Sequence, residues 1–223
     1  MGEFVTLTAA DGHRLAAYQA EPALPPKGGV VVIQEVFGVN EYIRAVCDDY
    51  AQHGFRVIAP ALYDRQQRGA EFSYTAEEMS RVRALRSAID WTKLPLDVAA
   101  AIAALRPLRV GMVGYCLGGS VTWLAACRLG IEAGACYYPT DIAKQLDETP
   151  RCPVIVHFGE RDHIITPDIV GKFSAAHPKV PAFLYPAEHG FNCWHPNAKN
   201  YHEPSAELAL ERTLDLFDRY VSL

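Results

Sequence analysis

The sequence predicts an α/β protein, with a mostly parallel central sheet of about eight strands and helices packed on both of its faces. Three observations carry this. Short apolar runs at residues 30–34, 55–59, 110–113, 133–137 and 154–158 are continuous rather than alternating, as in strands covered on both sides. Segments with apolar residues at helical spacing separate these runs, which is what crossovers between parallel strands require. Of the 223 residues, 50% are apolar, enough to bury one substantial core, so a single domain over residues 1–223 is expected.

The elements follow in order. Residues 4–8 and 14–19 read as two strands joined at Asp11-Gly12, a hairpin signal that puts an antiparallel pair at one edge of the sheet. After the strand at 30–34, Asn40 is suited to cap a helix that carries Ile43, Val46, Cys47 and Tyr50 on one face, and Gly54 to stop it. Beyond the strand at 55–59, residues 63–73 are rich in Arg, Gln and Gly and are expected to loop over the C-terminal strand ends, where open α/β sheets hold ligands. Helices are expected at 76–90, 96–105, 120–129, 168–176 and 205–221, and a last strand at 182–185. The final helix carries an apolar stripe of Leu210, Leu214, Phe217 and Val221, with Glu211, Arg212, Asp215 and Asp218 off it and Pro204 at its start.

Composition narrows the function. A formal net charge of −5 without a basic run gives no footprint for nucleic acid. No apolar run approaches the ~20 residues of a membrane span, and residues 1–6 lack a basic stretch leading into an apolar one, so a cytoplasmic protein is expected. Cys47, Cys116, Cys127, Cys136, Cys152 and Cys193 form no CxxC or CxxH pair and are expected as free thiols. His189, His195 and His202 recur near the C-terminus at spacings that match no ligand pattern, so neither a metal nor an organic cofactor is expected. A monomer or weak homodimer fits this composition.

The chemistry starts at Gly114-Tyr115-Cys116-Leu117-Gly118-Gly119, between an apolar run and a helical one. This is the pattern of a strand-turn-helix elbow with a nucleophile at its apex, flanked by glycines so that strand and helix can pass closely. Cys116 would stand at a helix N-terminus, where free amides and the helix dipole favour a thiolate. A thiol needs a base, and the base an orienting acid, in the order nucleophile, acid, histidine. Asp162, just past the strand at 154–158, and His189, just past the strand at 182–185, occupy those places; Glu160 competes with Asp162, and His163 and His157 with His189. His157, inside a strand, reads better as a satisfied core histidine. The segment Gln34-Glu35-Val36-Phe37-Gly38-Val39-Asn40 leaves another strand toward a helix, so that Val36 N–H, with Leu117 N–H, is the candidate oxyanion hole, and Glu35 points the same way.

These motifs, with Gly159-Glu160-Arg161-Asp162 ahead of Pro167 and with His189-Gly190-Phe191, resemble the dienelactone hydrolase family over nearly the whole chain. The family is the cysteine branch of the α/β-hydrolases. The resemblance implies an α/β-hydrolase fold, a Cys116-His189-Asp162 triad and an acyl-enzyme intermediate on Cys116 in the hydrolysis of a small ester or lactone. It also implies Glu35 as an extra acid that meets the resting thiol and takes its proton when substrate binds. Family members that act on dienelactone hold its carboxylate with two arginines, one of them four residues past the histidine; that place holds Cys193 here. The second arginine falls to Arg81, Arg83 or Arg86, with Arg81 taken as the substrate-binding candidate. Tyr63, Phe37 and Trp194 are the candidate apolar contacts to substrate, and Phe72 and Tyr74 add to the same wall. The alternatives are a carboxylesterase or thioesterase of different acyl preference, and a relative that binds electrophiles through Cys116 without turnover.

Overall fold

A computed structural model describes residues 2–223; Met1 lies outside the described residues. The strands are β1 (Glu3–Thr8), β2 (Arg14–Ala20), β3 (Gly28–Ile33), β4 (Phe55–Pro60), β5 (Val110–Tyr115), β6 (Ala133–Tyr137), β7 (Val154–Gly159) and β8 (Ala182–Tyr185). They form one sheet in the order β1-β2-β4-β3-β5-β6-β7-β8. The Asp11-Gly12 hairpin makes β1 and β2 the antiparallel edge, β2 runs antiparallel to β4, and all later pairings are parallel. Every residue of β3, β5, β6 and β7 is buried, which is why their apolar runs do not alternate.

Six helices cover the sheet: α1 (Glu41–Gln52), α2 (Met79–Ser87), α3 (Leu94–Leu105), α4 (Leu117–Arg128), α5 (Pro167–Ala176) and α6 (Glu203–Tyr220). The two faces can be read from adjacent glycines of β3. A methyl on Gly28 would meet Val221 just past α6, whereas one on Gly29 would meet Leu105 of α3 at 3.1 Å. Tyr50 of α1 packs near Phe217 of α6 on the first face (ring centroids 6.1 Å apart), and α3 and α4 share a cleft on the second.

Helix α1 begins as expected, with Asn40 Oδ1 accepting from Ile43 N–H at 3.2 Å. Helix α2 is shorter than the expected 76–90. At its start the Glu78 carboxylate turns back to accept from Ser73 N–H at 2.6 Å, and at its end Asp90 accepts from Thr92 N–H at 2.9 Å and begins the next turn. Helix α4 starts three residues earlier than expected, directly after Cys116. The stripe on α6 is also rotated. Leu210 and Leu214 lie at its flank, and Ala209, Thr213 and Phe217 face the sheet. The polar Thr213 belongs there because His157 Nε2 and Tyr137 Oη need its hydroxyl, at 3.2 and 2.8 Å.

Between β3 and β5 the strand order reverses, since the chain leaves β3 for β4 on one side and returns to β5 on the other. Such a switch point opens a crevice at the C-terminal strand ends. Gln34 closes one wall of it: its side-chain Oε1 accepts from Leu62 N–H at 3.1 Å and ties down the loop at 63–73. Among the described residues no helix is long and apolar enough to cross a membrane. The cysteines are all unpaired, and no cluster of three or more His, Cys, Asp or Glu is placed to hold a metal ion among those residues.

Candidate active site

Cys116 stands at the crevice because one residue alone reverses the chain from β5 into α4. It adopts φ 57°, ψ −114°, a conformation that costs a non-glycine residue on the order of 1–3 kcal/mol and that the surroundings must enforce. Its N–H donates to the Tyr137 carbonyl at 3.0 Å, and its own carbonyl accepts from Gly119 N–H at 3.1 Å. Gly114 and Gly118 make the reversal possible. A methyl on Gly114 would strike the backbone of Gly118, and one on Gly118 would lie 2.6 Å from the Gln34 carbonyl oxygen. Leu117 is the first residue of α4, so its N–H has no carbonyl one turn back in the helix. Val36 N–H lies in the turn after β3, and the peptide that follows is fixed by Tyr63 Oη, which donates to the Val36 carbonyl at 2.9 Å.

The turn after β7 presents Asp162. Its Oδ1 accepts from the amides of Ile164 and Ile165 at 2.7 and 2.9 Å, which leaves Oδ2 facing His189 Nδ1 at 2.7 Å. These donors and the imidazole outweigh burial, so the carboxyl sits below the usual aspartate range. His189 follows β8, and its Nε2 is buried with no hydrogen-bond partner. Burial pulls its pKa down, but the Cys116 sulfur and the Asp162 carboxylate prevail and push it up to about 10. Glu160 and His163 are exposed. His157 is fully buried and bonded through Nδ1 to Tyr185 Oη at 2.8 Å, the satisfied core histidine the sequence leads one to expect.

Cys116 and His189 line a cavity of about 250 Å³ together with Glu35, Phe37, Tyr74 and Cys193. Glu35 is buried, and burial raises its pKa. Its carboxylate accepts from Tyr74 Oη at 2.6 Å and from Tyr138 Oη at 3.4 Å; no hydrogen bond joins it to Cys116. No sequence signal points to Tyr138, and Tyr74 is expected there only as an apolar wall. Their common signal is conformational. Tyr74, Cys116 and Tyr138 are the three non-glycine residues with positive φ among the described residues, and all three meet here.

A sequence profile of the dienelactone hydrolase family matches residues 15–221. The chain belongs to the dienelactone hydrolase family. It is 30% identical over 225 residues to the carboxymethylenebutenolidases of Pseudomonas putida and Pseudomonas knackmussii, covering 96% of this chain and 94% of each relative. A crystal structure from Klebsiella pneumoniae, provisionally assigned as a dienelactone hydrolase, superposes with a TM-score of 0.84 at 28% identity over 99% of both chains. The chain is thus a hydrolase of the dienelactone hydrolase type with the α/β-hydrolase fold.

Within this dienelactone hydrolase framework the expected substrate contacts separate. Phe37 lines the cavity and packs on Tyr74, with ring centroids 3.9 Å apart. Tyr63 is buried beneath the Val36 turn and does not line the cavity. Trp194 is also elsewhere: it is 42% exposed, stands edge-on to Tyr42 and borders a separate cavity of about 260 Å³, because the chain turns outward after Cys193. None of the three arginines of the α2 region lines the cavity. The Arg81 guanidinium lies over the Phe72 ring at 5.2 Å, Arg83 is exposed, and Arg86 donates to Asp141 at 2.6 Å.

Proposed function

We propose that this family member hydrolyses small, uncharged esters or lactones through a thioester on Cys116. The observation that carries the reading is the strained Cys116 at the mouth of one cavity with His189, whose Nδ1 is held by Asp162 while Nε2 is left free. In this reading the Cys116 thiol gives its proton to the Glu35 carboxylate across the cavity, and the thiolate attacks the carbonyl carbon. The developing oxyanion is met by the amides of Leu117 and Val36. Collapse breaks the carbon–oxygen bond of the ester, and the leaving oxygen takes a proton from His189 Nε2. A water molecule then loses its proton to His189 as it attacks the thioester; the acid is released, and the departing thiolate takes back the proton held by Glu35.

The substrate class follows from the cavity's charges. Glu35 is a buried carboxyl on its wall, and the one lysine at its rim, Lys199, is exposed. With no arginine there, an anionic acyl group would lose the charge-assisted contacts that recognise carboxylates, worth about 1.5–3 kcal/mol for a bond to a charged group. The relatives named carboxymethylenebutenolidases take a substrate whose name contains a carboxyl-bearing arm; the cavity here favours the same bond cleavage on a neutral substrate. One assay tests both points. Wild type and Cys116→Ala are compared on p-nitrophenyl acetate and on a p-nitrophenyl ester with a carboxylate in its acyl arm. The wild type should turn over the acetate, prefer it by about tenfold or more, and lose at least ~100-fold in rate on the substitution. Equal rates for the two proteins would refute the thiol mechanism, and a preference for the anionic ester would refute the substrate class.

A further inference from the structure

The Glu35 carboxylate is the least expected group of this cavity, since it is buried and, among the described residues, no cationic side chain hydrogen-bonds to it. A buried carboxyl without such help takes up a proton. We propose that Tyr74 is the positioning residue of this site: its hydroxyl keeps the buried Glu35 carboxylate ionised and oriented, available as a proton acceptor within the cavity. The inference rests on the thiol-hydrolase reading for its catalytic meaning, though not for its geometry.

Several independent features converge on Tyr74. Its bond to Glu35 Oε2 is the shorter of the two that the carboxylate accepts, 2.6 Å against 3.4 Å from Tyr138. Bonds to an ionised acceptor are the short and strong ones. Its backbone is held at φ 64°, a strained state for a bulky residue, and the chain on either side of it is anchored. On one side Phe72 N–H donates to the Phe37 carbonyl at 3.0 Å, and the Ser73 carbonyl accepts from Asn197 Nδ2 at 2.8 Å. On the other, the Glu78 carboxylate accepts from Thr75 Oγ1 at 3.4 Å as well as from Ser73 N–H. The ring is clamped between Phe37 and His195, with centroids 3.9 and 4.9 Å away. A tyrosine that served only as an apolar wall would need neither the strain nor the hydroxyl contact.

Other groups also act on Glu35. His189 and Cys193 face it from the segment after β8, Tyr138 from the end of β6 and Tyr42 from α1, with Cys116 across the cavity. Of these, His189 favours the ionised carboxylate through its charge and Tyr138 through a longer hydrogen bond. The buried Cys193 thiol and the Tyr42 phenol are themselves driven upward by burial first and by the Glu35 charge second, so both stay neutral and add no counter-charge. The strong neutral donor is Tyr74.

The test reads Glu35 directly. The protonated-carboxyl stretch is followed by infrared difference spectroscopy against pH in the whole protein, and assigned as the band lost in Glu35→Gln. Tyr74→Phe keeps the ring and should raise the midpoint of that band by about one pH unit, as expected for losing one hydrogen bond to an ionised group. Tyr138→Phe, which removes the longer bond, should move it less. The acid limb of kcat/KM should rise with the band in Tyr74→Phe while KM for p-nitrophenyl acetate is unchanged, and in a Glu35→Gln background Tyr74→Phe should add no further loss. An unmoved midpoint in folded Tyr74→Phe, verified by circular dichroism, or a larger shift from Tyr138→Phe, overturns the proposal. Since the band is read without turnover, that result is distinct from activity surviving in Cys116→Ala, which would overturn the thiol mechanism alone.

Discussion

His189 shows how single residues here acquire properties from neighbours distant in sequence. Burial alone would leave its imidazole neutral, yet the Cys116 sulfur and the Asp162 carboxylate together hold its proton up to a pKa of about 10. Removing the sulfur should therefore be visible on the histidine. In Cys116→Ala the His189 pKa, followed by NMR of its ring protons, is expected to fall by at least about one unit. An unchanged value would mean that Asp162 holds the proton unaided. Cys116, Asp162 and His189 were legible in the sequence as candidates because each follows the end of a strand and carries a local motif. The partners of Glu35 were not, since Tyr74 and Tyr138 lie 39 and 103 residues away along the chain. Nothing in their immediate sequence announces a positive φ. Arg81 and Trp194 failed to reach the cavity for a related reason: helical periodicity and sequence adjacency give a face or a neighbourhood, not the direction in which a loop turns.

At the level of elements, the strand β5, the elbow and the helix α4 pack backbone against backbone. The crossing is close enough that the methyl of an alanine at Gly118 would sit 2.6 Å from the Gln34 carbonyl oxygen and closer still to that of Ile33. Gly118→Ala is expected to destabilise the fold by roughly 1–3 kcal/mol, as overpacking does, and to displace Cys116 relative to Val36. Urea unfolding and esterase activity measured side by side check this, with activity falling by more than the unfolded fraction explains. A variant as stable and active as wild type would show that α4 can shift without cost. The glycine pattern made this element readable from sequence, whereas its helix boundary did not follow. Propensity places the helix start at Ser120, but the tight reversal brings the helical path forward to Leu117.

Across the whole molecule, two buried histidines shape the dependence of stability on pH in opposite senses. His157 lies between β7, β8 and α6, where burial first and the Arg212 charge second lower its pKa to about 3. The unfolded chain protonates that residue near 6.5, so it binds more protons than the native state in between. Stability is thus lost as pH falls from about 6.5 toward 3, on the order of 1 kcal/mol per pH unit for this one group. His189, with its raised pKa, contributes stability that is complete below about 6.5 and lost as pH rises through about 10. Urea unfolding between about pH 4 and 6 should show a shallower slope in His157→Gln than in wild type, whatever that variant's stability at neutral pH. Parallel slopes would place the acid sensitivity elsewhere.

Local sequence sets the order of elements, the mostly parallel sheet, the elbow and the candidate acid and histidine that follow it. Each of these is written in local periodicity, in turn chemistry or in a motif a few residues long, which short-range sterics and burial translate directly into structure. The groups that surround Glu35, the aromatics that form the cavity and the exclusion of arginine from it follow from tertiary packing. Those outcomes depend on how segments far apart in the chain pack over the switch point between β3 and β5, where long-range packing and burial outweigh local preference.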